Sequence, residues 1–111
     1  MKRKVIPYAR QNLSNEDINK VVKTLKSDFI TQGKINQNLE KKFCKFTSSK
    51  FSVAVNSATS ALHISCLSLE LKKNDLVWTS PISFVASANC ALLANAKIDF
   101  VDIDPNTYNI S

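Results

Sequence analysis

The chain has 111 residues, 44% of them hydrophobic and 22% charged, which is the composition of an ordinary globular protein. That length suits one small domain. No apolar run nears the ~20 residues needed to span a bilayer, and the basic start Met1-Lys2-Arg3-Lys4-Val5-Ile6-Pro7 lacks the long apolar stretch of a signal peptide. The net charge of +6 is uneven: residues 1–50 hold 12 basic and 4 acidic side chains, and residues 51–111 hold 3 and 5.

A basic half can meet nucleic acid, a membrane surface or an anionic small molecule. Lys20, Lys23, Lys41, Lys42 and Lys45 fall opposite apolar stripes, which reads as solvated helix faces. No zinc-finger spacing or aromatic RNA-binding signature accompanies the charge, so neither nucleic acid nor membrane is expected as a partner. Cys44, Cys66 and Cys90 lack metal-type spacing and lie among apolar residues. They read as buried, reduced thiols of a cytoplasmic protein, and no metal is expected.

Residues 1–12 read as an extended N-terminal arm, with Pro7 restraining Ile6. Ser14-Asn15-Glu16-Asp17 resembles a capping box. Ile18, Val21, Val22 and Leu25 follow on one helical face, and the helix is expected to end near Ser27-Asp28. Phe29-Ile30-Thr31-Gln32-Gly33 breaks the period. Gly33 is the chain's one glycine and is expected to supply a backbone geometry that other residues resist. A second amphipathic helix follows, with Ile35, Leu39, Phe43 and Phe46 inward.

Phe51–Asn56 reads as a buried strand, and Ala58–Leu69 as a helix with Ala61, Leu62, Ser65, Cys66 and Leu69 on one face. Lys72–Asp75 is a polar turn and Leu76–Thr79 a second strand. Ser83 is a plausible cap for a helix over Phe84–Ala94, and Asn95 stands where glycine often ends a helix. Ile98–Ile103 is a third strand, and Asp102–Ser111 a turn entering a further helix. Strands alternating with helices of this length predict an α/β fold with a parallel sheet. Ligands gather at the carboxyl ends of such strands, where Asn56–Thr59 and Ser80–Phe84 fall.

The stretch Val53-Ala-Val-Asn-Ser-Ala-Thr-Ser-Ala-Leu62 carries the most chemistry. A helix N-terminus offers unpaired N–H groups and a partial positive charge, which favour a phosphate. Ser57, Thr59 and Ser60 could add hydroxyl donors, and Ala58 admits a close approach. The same residues also suit a purely structural N-cap. His63 follows inside the helix and reads as a half-buried structural histidine.

Four segments in register resemble a known family: Thr31-Gln32-Gly33, Asn56-Ser57-Ala58-Thr59-Ser60-Ala61-Leu62-His63, Thr79-Ser80-Pro81-Ile82-Ser83-Phe84-Val85-Ala86-Ser87-Ala88-Asn89 and Phe100-Val101-Asp102-Ile103-Asp104. Together they resemble the opening third of the DegT/DnrJ/EryC1/StrS nucleotide-sugar aminotransferases. That resemblance implies the large domain of a fold-type I transferase dependent on pyridoxal 5′-phosphate, with residues 13–111 as the N-terminal portion of that domain. The variants at Thr31–Gly33, Ser57–Ser60 and Ser80–Phe84 look most like members acting in pseudaminic acid biosynthesis. Those members aminate C4 of a UDP-linked 4-keto-6-deoxy-N-acetylhexosamine, with glutamate as amino donor. By resemblance, Ala58 and Thr59 contact the cofactor phosphate and Phe84 stacks on its ring. Tyr8, Asp28, Phe29, Ile30, Thr31 and Ala58 fall where the family meets its nucleotide sugar.

The family's Schiff-base lysine matches no residue of this chain, so no catalytic residue is assigned. The chain is expected to be an N-terminal piece of a larger protein, inactive and marginally stable alone, whose parent is a homodimer. A sugar dehydratase of the same fold, in which histidine replaces that lysine, stays open. So does a small basic binding module without chemistry.

Overall fold

A computed structural model describes residues 5–111; the first four residues of the expected arm lie outside them. Residues 5–13 have no helix or strand. The chain divides into two units, one ending at Ala54 and one covering Val55–Ser111.

In the first unit, α1 spans Asn15–Leu25 and α2 spans Lys34–Thr47. The capping box forms as expected. Ser14 Oγ accepts from the Asp17 N–H at 3.2 Å, and Asp17 Oδ2 accepts from the Ser14 N–H at 2.9 Å. The Ser14 hydroxyl, donating to Asp17 Oδ2 at 2.7 Å, and then the Ser14 N–H hold the Asp17 carboxyl below its ordinary value. The helix stops at Leu25, slightly before the expected end. The Ser27 N–H and Oγ turn back onto the Thr24 carbonyl at 3.0 and 2.7 Å, closing a turn instead of extending the ladder.

Gly33 corrects an expectation. Its φ of −77° is open to any residue. The left-handed conformation falls on its neighbour Gln32, at φ 52°. Glycine is needed at 33 for space, because a Cβ there would stand 2.8 Å from the Phe29 carbonyl oxygen. The apolar stripe of α2 is not inward either. Ile35, Leu39, Phe43 and Phe46 are all exposed, because no element of this unit covers them.

In the second unit, α3 (Ala58–Ser68), β1 (Leu76–Thr79), α4 (Ala86–Leu93) and β2 (Lys97–Phe100) follow in order. The two strands pair in parallel, with Val77 opposite Ile98 and Trp78 opposite Asp99. β1–α4–β2 is therefore one βαβ unit of an α/β fold. The expected strand Phe51–Asn56 does not form, since no neighbouring backbone pairs with it. Its Ala54 N–H bonds the Glu40 carboxylate at 3.0 Å instead. The third strand is also shorter than expected. Past Phe100 only the Val101 N–H continues the ladder, to the Thr79 carbonyl. Asp102–Ser111 does not enter a helix. It folds back as a closed turn, with Ile103 bridged to Ile110 and Asp104 Oδ1 accepting from the Asn106 and Thr107 N–H groups.

Both helices of this unit end in the same way. Glu70 (φ 55°) and Asn95 (φ 60°) take the left-handed conformation. After α3 the Glu70 N–H bonds the Leu67 carbonyl and Leu71 the Cys66 carbonyl; after α4, Asn95 bonds Leu92 and Ala96 bonds Ala91. These are Schellman closures, and in the first of them Leu71 packs against the cluster of Cys66, Cys90 and Ala94. The reading of Asn95 as a helix stop holds.

The core lies where α3, α4 and the strands meet, and it is made of small residues. Cys66, Ala86, Cys90, Ala91, Ala94 and Ala96 are buried, with Ala91 wholly so. Small side chains let α3 and α4 approach closely. Burial, then the neighbouring Cys90, pushes the Cys66 thiol up. Cys66 and Cys90 are thus buried thiols as expected, while Cys44 is only half-buried. Leu69, expected on the packed face of α3, is exposed because it already belongs to the closing turn.

Candidate functional site

The first turn of α3 is the best-defined polar site. Ser57 is its N-cap in extended conformation, and its Oγ accepts the Ser60 N–H at 3.1 Å. Ser60 Oγ donates to Asn56 Oδ1 at 2.7 Å, so the proton shared between Ser57 Oγ and Ser60 Oγ at 3.0 Å comes from Ser57. Both serine hydroxyl protons are therefore used inside the cap. What remains for a ligand is the Ala58 N–H, the Thr59 N–H and the Thr59 hydroxyl, none of which has a partner among the described residues. All three sit on exposed residues, and no acidic side chain occupies this turn.

Three free donors at the positive end of a helix, without a competing carboxylate, are an arrangement that favours an anion. The sequence reading offered three hydroxyls for this role; the hydrogen bonds reduce them to Thr59. Asn56 was missed. Its position between an apolar run and a serine carried the signal, since Asn commonly bonds backbone or hydroxyl groups just ahead of a helix.

Phe84 lies in the loop between β1 and α4, at the carboxyl end of the strand, and is 74% exposed. The expected helix start at Phe84 shifts to Ala86, with Val85 as cap. Ser83 does not cap the backbone; its Oγ meets Ser87 Oγ at 3.0 Å. The Phe84 carbonyl accepts the Ser87 N–H at 3.0 Å, which fixes the backbone and leaves the ring free to stack on a planar partner. His63 is half-buried within α3, as expected.

In the first unit, Asp28 and Phe29 line a cavity of about 980 Å³ beside α1 and α2. Ile30 and Thr31 are exposed in the same connection. Tyr8 is fully exposed and does not line that cavity. Among the described residues no cluster of His, Cys, Asp and Glu could hold a metal ion, and no helix is long and apolar enough to cross a membrane.

The donors at Ala58 and Thr59 fit the phosphate end of pyridoxal 5′-phosphate, and the exposed Phe84 ring fits its planar ring. A UDP-4-amino-4,6-dideoxy-N-acetyl-beta-L-altrosamine transaminase of Campylobacter jejuni is 40% identical over 99 residues, covering 89% of this chain and 26% of that protein. The spore coat polysaccharide biosynthesis protein SpsC of Bacillus subtilis is 38% identical over 105 residues, covering 95% and 27%. Among solved structures, Spr1654 of Streptococcus pneumoniae, assigned as a sugar aminotransferase and solved in PLP and PMP forms, superposes with a TM-score of 0.89. It is 30% identical, over 96% of this chain and 27% of its own. The E. coli GDP-4-keto-6-deoxy-D-mannose-3-dehydratase with bound hydrated PLP superposes at 0.86, with 27% identity over 95% and 28%. The chain thus spans about a quarter of the length of these relatives. Residues 11–111 match the profile of one family over nearly their whole extent, and the chain belongs to the DegT/DnrJ/EryC1/StrS aminotransferase family.

Proposed function

We propose that the chain forms part of a pyridoxal phosphate-dependent sugar aminotransferase acting on a nucleotide sugar. In its finer form, the substrate is a UDP-linked 4-keto-6-deoxy-N-acetylhexosamine, aminated at C4 with glutamate as donor. The transaminase name of the 40% identical Campylobacter relative supports this choice. The observation that carries the reading is the α3 first turn, where the free donors of Ala58 and Thr59 await an anion in a chain of this family.

When bound, pyridoxal phosphate supplies the electron sink through which an amino group passes from an amino acid to a keto carbon. The Ala58 and Thr59 N–H groups and the Thr59 hydroxyl hold the phosphate, and the Ser57–Ser60–Asn56 network keeps that turn in place. Phe84 covers one face of the ring and excludes water from it. Tyr8, Asp28, Phe29, Ile30, Thr31 and Ala58 meet the nucleotide sugar. Residues 5–12 act as an arm and residues 13–111 as the N-terminal part of the cofactor domain, in a cytoplasmic homodimer. The structural likeness to the E. coli dehydratase keeps a dehydratase as the second reading, since the residue that separates the two chemistries matches no position of this chain.

The test uses pyridoxamine 5′-phosphate, which has the same phosphate and ring but no aldehyde to react with surface lysines. Its fluorescence is followed on titration with the chain. Thr59→Val removes a hydrogen bond to a charged group, worth about 1.5–3 kcal/mol, and weakens binding ten- to a hundredfold. Phe84→Ala removes a stacked ring, at roughly 1–3 kcal/mol by analogy with aromatic–base stacking. His63→Ala leaves affinity unchanged. Wild-type binding by both Thr59→Val and Phe84→Ala would refute the assignment of this turn.

A further inference from the structure

Two thiols that the cofactor reading leaves unused lie together in the core of the second unit. Cys66 of α3 and Cys90 of α4 are 8% and 5% exposed and form one buried cluster with Ala94. They are neighbours across the helix pair: after burial, it is the Cys90 thiol that pushes the Cys66 thiol up. Cys90 Sγ also donates to the Ser87 carbonyl at 3.3 Å, which holds its sulfur in one rotamer. Among the described residues no third His, Cys, Asp or Glu joins them, so the pair is a dithiol and not a metal centre.

We propose that Cys66 and Cys90 are a disulfide site, converted by a small-molecule disulfide into a bond that ties α3 to α4. The thiolate of one cysteine attacks the small disulfide, whose S–S bond breaks and releases one thiolate. The thiolate of the second cysteine then attacks the protein sulfur of the mixed disulfide and releases the other. The two cysteines lose two electrons and two protons, and the small disulfide leaves as two thiols. A buried thiol reacts only after its surroundings open. Here opening is cheap, because the core beside the pair consists of Ala86, Ala91, Ala94 and Ala96, and no large side chain is fully buried. The bond would close a loop that holds β1 and Phe84 and would join the helix that starts at Ala58 and Thr59 to the helix that follows Phe84. A link to those residues' role rests on the cofactor reading; the bond itself does not.

Folding and bond formation are reciprocal. Whatever factor the fold adds to the bond's formation constant, the bond adds to the folding constant. The test uses the 111-residue chain with Cys44→Ser, which leaves only the two thiols. It is equilibrated in mixtures of reduced and oxidised glutathione, with and without denaturing urea, then quenched in acid and weighed by mass spectrometry. The expected product is the chain lighter by two hydrogens and free of glutathione. Its formation constant is about tenfold or more higher in buffer than in urea, its urea midpoint exceeds that of the reduced chain, and dithiothreitol reverses both. Neither Cys66→Ser nor Cys90→Ser in this background gives the lighter species or the higher midpoint. Glutathione adducts or chain-to-chain dimers as the end product, a formation constant no higher than in urea, a lowered midpoint, or the same gain in either single variant would each overturn the proposal. Should Cys44→Ser lose helicity, tryptic mapping of the oxidised wild-type chain decides: a peptide linked through Cys66 and Cys90 is expected, and pairings through Cys44 in equal yield overturn it. No cofactor enters this experiment, so its failure and that of the pyridoxamine phosphate titration are told apart.

Discussion

Ser57→Asp separates a structural cap from an anion seat, because it moves stability and affinity in opposite directions. Ser57 Oγ accepts the Ser60 N–H at 3.1 Å, and no acid lies in the first turn of α3. Aspartate caps as well as serine does, so the backbone bond survives the exchange. Its charge also sits at the positive end of the helix, which is worth roughly 0.3–1 kcal/mol at an exposed site. On structural grounds alone the variant is at least as stable as wild type. A phosphate seated on the Ala58 and Thr59 N–H groups meets a different outcome. Two unit charges about 5 Å apart, at an effective dielectric constant of ~20, repel by roughly 3 kcal/mol before salt screening. Even half of that weakens a phosphate ligand by more than tenfold. The assay pairs urea unfolding followed by circular dichroism with the pyridoxamine phosphate titration. The expected result is an unchanged or higher midpoint with affinity reduced tenfold or more, the loss shrinking as salt is added. Undiminished affinity in a folded variant would refute the phosphate seat and leave the turn as a cap alone.

Three further outcomes follow from the backbone and the caps. Gly33→Ala sets a Cβ 2.8 Å from the Phe29 carbonyl oxygen, a backbone atom that cannot swing away; despite alanine's lower unfolded-state entropy it destabilises the first unit, read as lost helicity near α2, and a stabilised variant would contradict the close approach. Asn95→Ala forces alanine into φ 60° and costs about 1 kcal/mol in urea unfolding, whereas Asn95→Gly is neutral or stabilising; equal midpoints for the two would count against the closure of α4. The capping-box contribution of Asp17 is complete above the ordinary aspartate value of about 3.9 and is lost as pH falls through its lowered folded value. Acid titration of helicity is therefore steeper in wild type than in Asp17→Ala, and identical profiles would show that the box does not hold α1.

Local signals were legible in the sequence and long-range ones were not. The capping box, the strand Leu76–Thr79 and the stop at Asn95 each depend on residues within a few positions of one another, and all three stand in the structure. The Phe51–Asn56 strand failed for the complementary reason. Its apolar, β-branched run describes a segment fit for a sheet, but a strand exists only when a second backbone pairs with it. The apolar stripe of α2 is the same case, since periodicity selects a face and says nothing of what covers it. Gly33 shows a subtler limit. Glycine was read as conformational freedom, yet its role is the absence of a Cβ near Phe29, a contact that no propensity encodes.

At the candidate site the order reverses, and residue types were more informative than the elements that hold them. Asn56–Ser60 announced an anion-binding turn, but only the hydrogen bonds decide which hydroxyl is free. Ser60 gives its proton to Asn56 and Ser57 gives its own to Ser60, so Thr59 alone keeps a side-chain donor. The lysines show where a local pattern is enough: Lys20, Lys23, Lys41, Lys42 and Lys45, read as solvated helix faces, are all exposed, because the period within one helix reports the face it turns to water without needing any partner.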